Sequence, residues 1–299
     1  MDIDDIVKIA QIASCLEVSG YPKPGNVHRT RDFHDMVFED FIISGIVIGD
    51  TIRKACQKGL KATKDKKYTE IGTGELILEA VSETDKWIAN NTNLGIVMLT
   101  VPISIATAMS TSFQEIQDNI GLIMDNTTAT DAVNLYKAIN IADAGGMGDQ
   151  EEYDVSSNDS LKELIETNTT MYDVLEISSE WDKLALELTT KLELTFNIGY
   201  PTFKNIKQGQ NYNLATLTTF LTILSQIPDT LISRKYGDEK AEEVSQMAKK
   251  ILNTDISTKE GQRRLKDFDE YLFTNKLNPG TTADLTAASI MLSLLSEKI

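Results

Sequence analysis

The residue types that most often mark catalytic and metal chemistry are scarce in this chain. Its 299 residues include two histidines and two cysteines. Cys15 and Cys56 have neither CxxC spacing nor enough company for a four-ligand zinc site, which excludes a thiolate zinc module. Two thiols in so long a chain point to a reducing cytoplasm. Positive charge is short as well: 29 Lys and Arg stand against 45 Asp and Glu, for a formal charge of -16. Such a field repels nucleic acid and anionic membranes, so neither is an expected partner. Long apolar runs are missing too. The longest, LGIVMLTVPISIATAM at 94–109, contains Thr and Pro and falls short of a membrane span. The opening MDIDDIVKIAQ lacks the basic start of a secretory signal. There is no G-x-x-x-x-G-K-S/T phosphate loop, and the GTG at 72–74 follows no strand. Strand alternation, internal repeats and long linkers are equally lacking.

What remains is helical periodicity in a composition that is 41% hydrophobic. A first helix is expected over about 2–18, with Ile6, Ala10, Ala13 and Glu17 on one stripe. Further helices are expected over 38–62, 75–88, 95–109, 128–142, 160–175, 178–196, 214–227, 238–252, 258–273 and 281–295. Residues 109–128 read as less regular, and 200–210 as an amphipathic connection. AGGMGDQEEYDV at 144–155 reads as a solvated acidic loop or a lid over a ligand. The expected architecture is all-α, one compact multi-helix domain over 1–299, with an oligomer possible.

The chemistry concentrates where the first helix breaks. Residues 13–35, ASCLEVSGYPKPGNVHRTRDFHD, hold both histidines, His28 and His34, with Glu17, Lys23, Asn26, Arg29, Arg31, Asp32 and Asp35. Pro22 and Pro24 fix φ and remove backbone donors, while Gly25 permits a close approach. The product is a rigid loop displaying ionisable groups, which serves a binding site or a plain interhelix connection. NNTNLG at 90–95 precedes the apolar run; Thr92 or Asn93 can cap that helix, or its free amides can face a phosphate. In DTLISRKYG at 229–237, Asp229 suits a helix cap and Arg234 a phosphate or solvent. In NPGTTADL at 278–285, Thr281 with Asp284 fits a capping box.

Taken together, PKPGNVHR with DFHD, the partial NTNLG, the Asp229 block and NPGTTADL resemble the triphosphoribosyl-dephospho-CoA synthase family. The blocks stand in the family's order and cover most of the chain. The family's NTHKG is matched by Asn91, Thr92 and Gly95, while Asn93 replaces its histidine and Leu94 its lysine. The family's NPGGSADLLA is matched by Asn278, Pro279, Gly280, Ala283, Asp284 and Leu285.

The resemblance implies an ATP-dependent triphosphoribosyl transferase, in which the hydroxyl of an acceptor such as dephospho-CoA attacks the ribose anomeric carbon and adenine leaves. It implies Glu17, His28, Asp35 and Asp284 as catalytic groups. Lys23, Asn26, Arg29, Asn91, Thr92, Arg234 and Asn278 would bind the nucleotide. Asp32, Asp35 and Asp284 would hold Mg²⁺, the metal suited to oxygen ligands. A Mg²⁺-dependent nucleotide or N-glycoside hydrolase and a non-catalytic nucleotide-binding regulator remain open alternatives. The family reading carries one geometric expectation: the two ends of the chain meet in a single site.

Overall fold

Acidic residues head the chain because a helix starts there. Asp2 accepts a hydrogen bond from the Asp4 amide, and Asp4 and Asp5 sit at the positive end of α1, Ile3–Ser19. Ile6, Ala10, Ala13 and Glu17 are all buried, as their shared stripe requires. The computed structural model describes residues 1–33, 36–88, 90, 92–142, 158–207 and 211–299. The acidic loop expected at 144–155 lies outside them, as do His34, Asp35 and Asn91. Among the described residues there is no β-sheet, only an isolated bridge between His28 and Arg31.

The helix expected over 38–62 is two helices, α2 (Phe38–Val47) and α3 (Gly49–Asp65). A tertiary contact holds the break: the Gln11 side-chain amide donates to the freed Ile46 carbonyl at 2.7 Å. Gly49 is needed beside it, since a Cβ there would lie 2.4 Å from the same amide nitrogen. Next come α4 (Thr73–Trp87) and α5 (Leu94–Met109). The latter passes through Pro102 as one element, with 14 of its 16 residues buried. Its hydroxyls do not strand polar groups in the core. Thr100, Ser104 and Thr107 each donate to the carbonyl four residues back, at 2.7–2.8 Å.

The irregular 109–128 region contains α6, Glu115–Asp125. Thr128 caps α7 (Ala129–Ile141) in a reciprocal box with Asp131. Where two long helices are expected over 160–196, three short ones form: α8 (Asn158–Glu166), α9 (Met171–Ser178) and α10 (Lys183–Thr189). Thr170 with Asp173 starts α9, and Asp182 starts α10. A π turn at Thr195–Gly199 follows, pinned by the buried Glu187 carboxylate, which accepts from the Leu194 and Thr195 amides and the Thr195 hydroxyl. The connection expected over 200–210 holds α11, Tyr200–Lys207.

The last third holds α12 (Tyr212–Gln226), α13 (Thr230–Tyr236), α14 (Asp238–Leu252), α15 (Lys259–Thr274) and α16 (Gly280–Leu295); α13 is absent from the expected helices, which the other four follow closely. The main core gathers α1, α3, α5 and α16, while α12, α14 and α15 close a smaller cluster around Phe220 and Phe268. First and last helices therefore pack side by side, as expected of a shared site. No helix among the described residues is long and apolar enough to cross a membrane.

Candidate active site

The last turn of α1 delivers Glu17 into the interior, 1% exposed, and the chain turns back at once so that the fully buried Lys23 ammonium donates to its carboxylate. Lys23 also donates to the Glu17 carbonyl at 3.2 Å. Gly25, with φ +70°, lets the loop press against the turn ahead of α16. A Cβ there would lie 2.4 Å from the Leu277 carbonyl oxygen. The contact is sealed by side chains: Asn26 Nδ2 donates to Asn278 Oδ1 at 2.9 Å. The Gly25 amide donates to Asp269 Oδ1 at 3.1 Å. The two Pro-Gly loops, 252 residues apart at that asparagine pair, thus form one structure.

Above them lies a cleft of about 390 Å³, large enough for a nucleotide-sized ligand. Glu17, Asn26, Thr92, Arg234, Asn278 and Asp284 all line it. Asp284 sits one turn into α16 against the first turn of α5, so close that a Cβ on Gly95 would lie 2.1 Å from Asp284 Oδ2. Asn93, at the head of α5, makes no side-chain cap. Its amide turns away to donate to Thr84 Oγ1 at 2.8 Å. The Thr92 hydroxyl and Arg234 Nε are buried without a hydrogen-bond partner among the described residues. Two orphaned polar atoms on one cleft are open to a ligand. Arg234 is otherwise held by Asp182, Nη1 to Oδ2 at 2.9 Å. The opposite character appears in Met36, Phe41, Val81, Ile141, Leu184 and Leu231, an apolar lining suited to a ring or alkyl chain.

Burial decides the charge of the carboxylates. It holds Asp284 well above the usual carboxylate range, helped by the negative charges of Glu17, Asp229 and Asp182 and opposed by Lys23. Burial likewise pushes Glu17 up against the pull of Lys23, and pushes Lys23 down.

Other candidates named from sequence are engaged elsewhere. His28 is buried with Nε2 3.3 Å from Asp269 Oδ2 and Nδ1 3.2 Å from the Thr30 hydroxyl. Arg29 stacks on the Tyr21 ring at 4.9 Å and donates through Nε to the Ser19 carbonyl. Asp32 Oδ1 accepts from the Phe38 amide at the head of α2. Asp35 and Asn91 lie outside the described residues. Among the described residues no three His, Cys, Asp or Glu side chains are grouped to hold a metal. Asp85 at the rim and Lys235 line the cleft without having been singled out in the sequence, where nothing sets them apart from a solvated helix face.

Known proteins resemble this one at the level of the whole fold and of parts of the sequence. A solved structure from Archaeoglobus fulgidus, carrying the provisional name triphosphoribosyl-dephospho-CoA synthase, superposes with a TM-score of 0.63 over 83% of this chain and 98% of its own, at 23% identity; that likeness is one of fold. Two curated relatives carry the provisional name 2-(5''-triphosphoribosyl)-3'-dephosphocoenzyme-A synthase. The Pseudomonas fluorescens Pf-5 protein is 35% identical over 97 residues, which is 32% of this chain and 33% of that one. The Malonomonas rubra protein is 29% identical over 144 residues, 44% and 46% respectively. The chain thus spans a third to just under half the length of these relatives. The family model described as CitG, ATP:dephospho-CoA triphosphoribosyl transferase, matches residues 3–299, and with that span the chain belongs to this family.

Proposed function

We propose that the protein transfers the triphosphoribosyl group of ATP to a hydroxyl of dephospho-CoA or a similar acceptor and releases adenine, within a reducing cytoplasm and as one domain over 1–299. The observation that carries this reading is the Asn26–Asn278 bond, which joins both Pro-Gly loops under a cleft floored by Glu17 and Asp284. In the step itself the acceptor oxygen bonds to the ribose anomeric carbon as the bond from that carbon to adenine breaks. Glu17 takes the acceptor's proton. Asp284, whose hold on a proton burial strengthens, gives one to the departing adenine. Proton return from Glu17 to Asp284 across the cleft restores both groups. Arg234 Nε, the Thr92 hydroxyl and the start of α5 offer donors to the phosphates. The apolar lining receives the purine or the acceptor's alkyl arm.

The oxygen-rich donor set fits Mg²⁺, which usually leans on one or two carboxylates and the substrate's phosphates rather than on an all-protein cage. Asp85 at the open rim would hold it, and when bound it neutralises triphosphate charge in a strongly acidic protein. Asn90 lines the cleft from the connection that follows α4.

Labelled ATP, Mg²⁺ and dephospho-CoA test the reading. Adenine plus a modified acceptor is the expected result; free sugar phosphate would indicate the hydrolase, and nucleotide binding without turnover the regulator. Asp284→Asn should keep Mg²⁺-dependent ATP binding in calorimetry while losing adenine release, by about a hundredfold or more for a lost general acid. Full activity in folded Asp284→Asn protein would defeat the assignment.

A further inference from the structure

Three helices begin at one place in this protein, and their starts are tied to one another. Asp182 opens α10, its Oδ1 accepting from the Leu184 amide at 2.8 Å. Asp229 opens α13, its Oδ1 accepting from the Leu231 amide at 3.0 Å and the Ile232 amide at 3.2 Å. Its other oxygen belongs to a different helix: Oδ2 accepts from the Thr282 amide and the Thr282 hydroxyl, each at 2.8 Å, in the first turn of α16. The hydroxyls of Thr230 and Thr281 lie 3.1 Å apart beside this joint. Asp229 is 2% exposed, and its carboxylate receives four hydrogen bonds from two helix starts at once. An ordinary N-cap serves one helix.

What those two helices carry gives the joint a functional meaning. Arg234 lies five residues beyond Asp229 on α13, and Asp284 two residues beyond Thr282 on α16. Both line the cleft. We infer that Asp229 is a positioning residue for adenine displacement: its single carboxylate locks the first turns of α13 and α16 together and so fixes the cleft guanidinium relative to the cleft carboxylate. The inference rests on the transferase reading only for what that pair does. Helix α13 has seven residues, too few to hold Arg234 in place by helix propensity alone, and it packs on α14 through the buried Ile232. Asp182 restrains the guanidinium from the other side, at 2.9 Å, but makes no hydrogen bond to α16.

The Thr282 hydroxyl allows a gentle test, because Thr→Val removes one of the four bonds and retains shape and charge. Thr282→Val, Thr282→Ser and Asp229→Asn would be compared with wild type for adenine release, for Mg·ATP affinity by calorimetry and for melting. Displacement of a reacting group by about 1 Å can cost about a hundredfold. Thr282→Val is expected to lose about tenfold in kcat with ATP affinity nearly unchanged, Thr282→Ser to recover it, and Asp229→Asn to lose more. Adding Thr282→Val to Asp229→Asn should cost little further, since both open one clamp. Wild-type kcat in Thr282→Val overturns the inference, as does a loss equal in Ser and Val that follows melting temperature. Should Asp229→Asn fail to fold, the Val and Ser pair decides. A wild type that releases no adenine defeats the transferase reading alone. Crystal structures of wild type and Thr282→Val then decide the clamp: an altered separation of Arg234 from Asp284 supports it, and an unchanged one overturns it.

Discussion

One methyl group at Gly95 should disable the cleft. The first turn of α5 meets α16 at Asp284 here, and a Cβ on Gly95 would lie 2.1 Å from Asp284 Oδ2 and 2.4 Å from its Cγ. Ordinary contact begins near 3.4 Å, so the carboxylate must retreat by about 1.3 Å, or the helices must part. Two energies compete. Gly→Ala inside a helix gains about 1 kcal/mol in propensity, while overpacking a dense interior costs about 1–3 kcal/mol. Gly95→Ala should therefore fold, with a loss of about 0–2 kcal/mol. Activity has no such compensation, because Asp284 is the group displaced. Adenine release should fall about a hundredfold, with the loss in kcat rather than in ATP affinity. Urea titration and an adenine assay on the same preparation measure both quantities. Gly95→Ala protein with adenine release within about threefold of wild type would refute the contact or the role given to Asp284.

Lys23→Met should cost about 3–5 kcal/mol, because it strands the buried Glu17 carboxylate, whereas Glu17→Gln with Lys23→Met should recover most of that; denaturant melts of wild type, both single variants and the double variant decide, and equal losses in Lys23→Met and the double variant would contradict the pairing. Glu187 supplies a pH test: burial raises it from 4.5 to about 7, so its contribution is complete below about 4.5 and is lost as pH rises through about 7. At about 1.4 kcal/mol per pH unit that rise is worth about 3 kcal/mol, so the stability advantage of wild type over Glu187→Gln should shrink by about that much across the window. A difference independent of pH would refute it.

Helices whose ends are set by their own residues were legible in the sequence. Helix α14 occupies the expected 238–252, α16 starts one residue early, and α1 and α15 are shifted by one residue at each end. The breaks at 48 and at 179–194 were not legible, because distant or buried groups hold them. Gln11 satisfies the Ile46 carbonyl from another helix. Glu187 caps a turn seven residues further along, after Lys191 and Leu192 adopt left-handed backbone. Apolar periodicity runs unbroken through both places, so a reading by period joins what the tertiary structure divides. The start of α9 was in fact readable: Thr170 with Asp173 is a plain capping box, passed over inside a longer apolar pattern.

The same distinction separates the candidate residues that reach the cleft from those that do not. Pro-Gly turns at 22–25 and 278–280 declare rigid loops whatever surrounds them, and Glu17, Asn26, Asn278 and Asp284 follow from their backbones into the cleft. His28, Arg29 and Asp32 were singled out for what their side chains can do, but each is committed to a partner that the sequence does not reveal. Asp269 comes from α15, 241 residues away from His28, and takes the Gly25 amide as well, so His28 helps to hold the loop. Asp229 presents the reverse case. A helix cap accounts for it completely in the sequence, and the cap exists, yet only the second oxygen, on Thr282, makes that cap part of the cleft. Chemical type alone cannot rank acids in a chain with 45 of them. Burial can, because a carboxylate taken out of water must be fully bonded or hold a proton. Asp229 is fully bonded and ties the walls together, whereas Asp284 lines the cleft with its proton affinity raised by burial and by neighbouring negative charge.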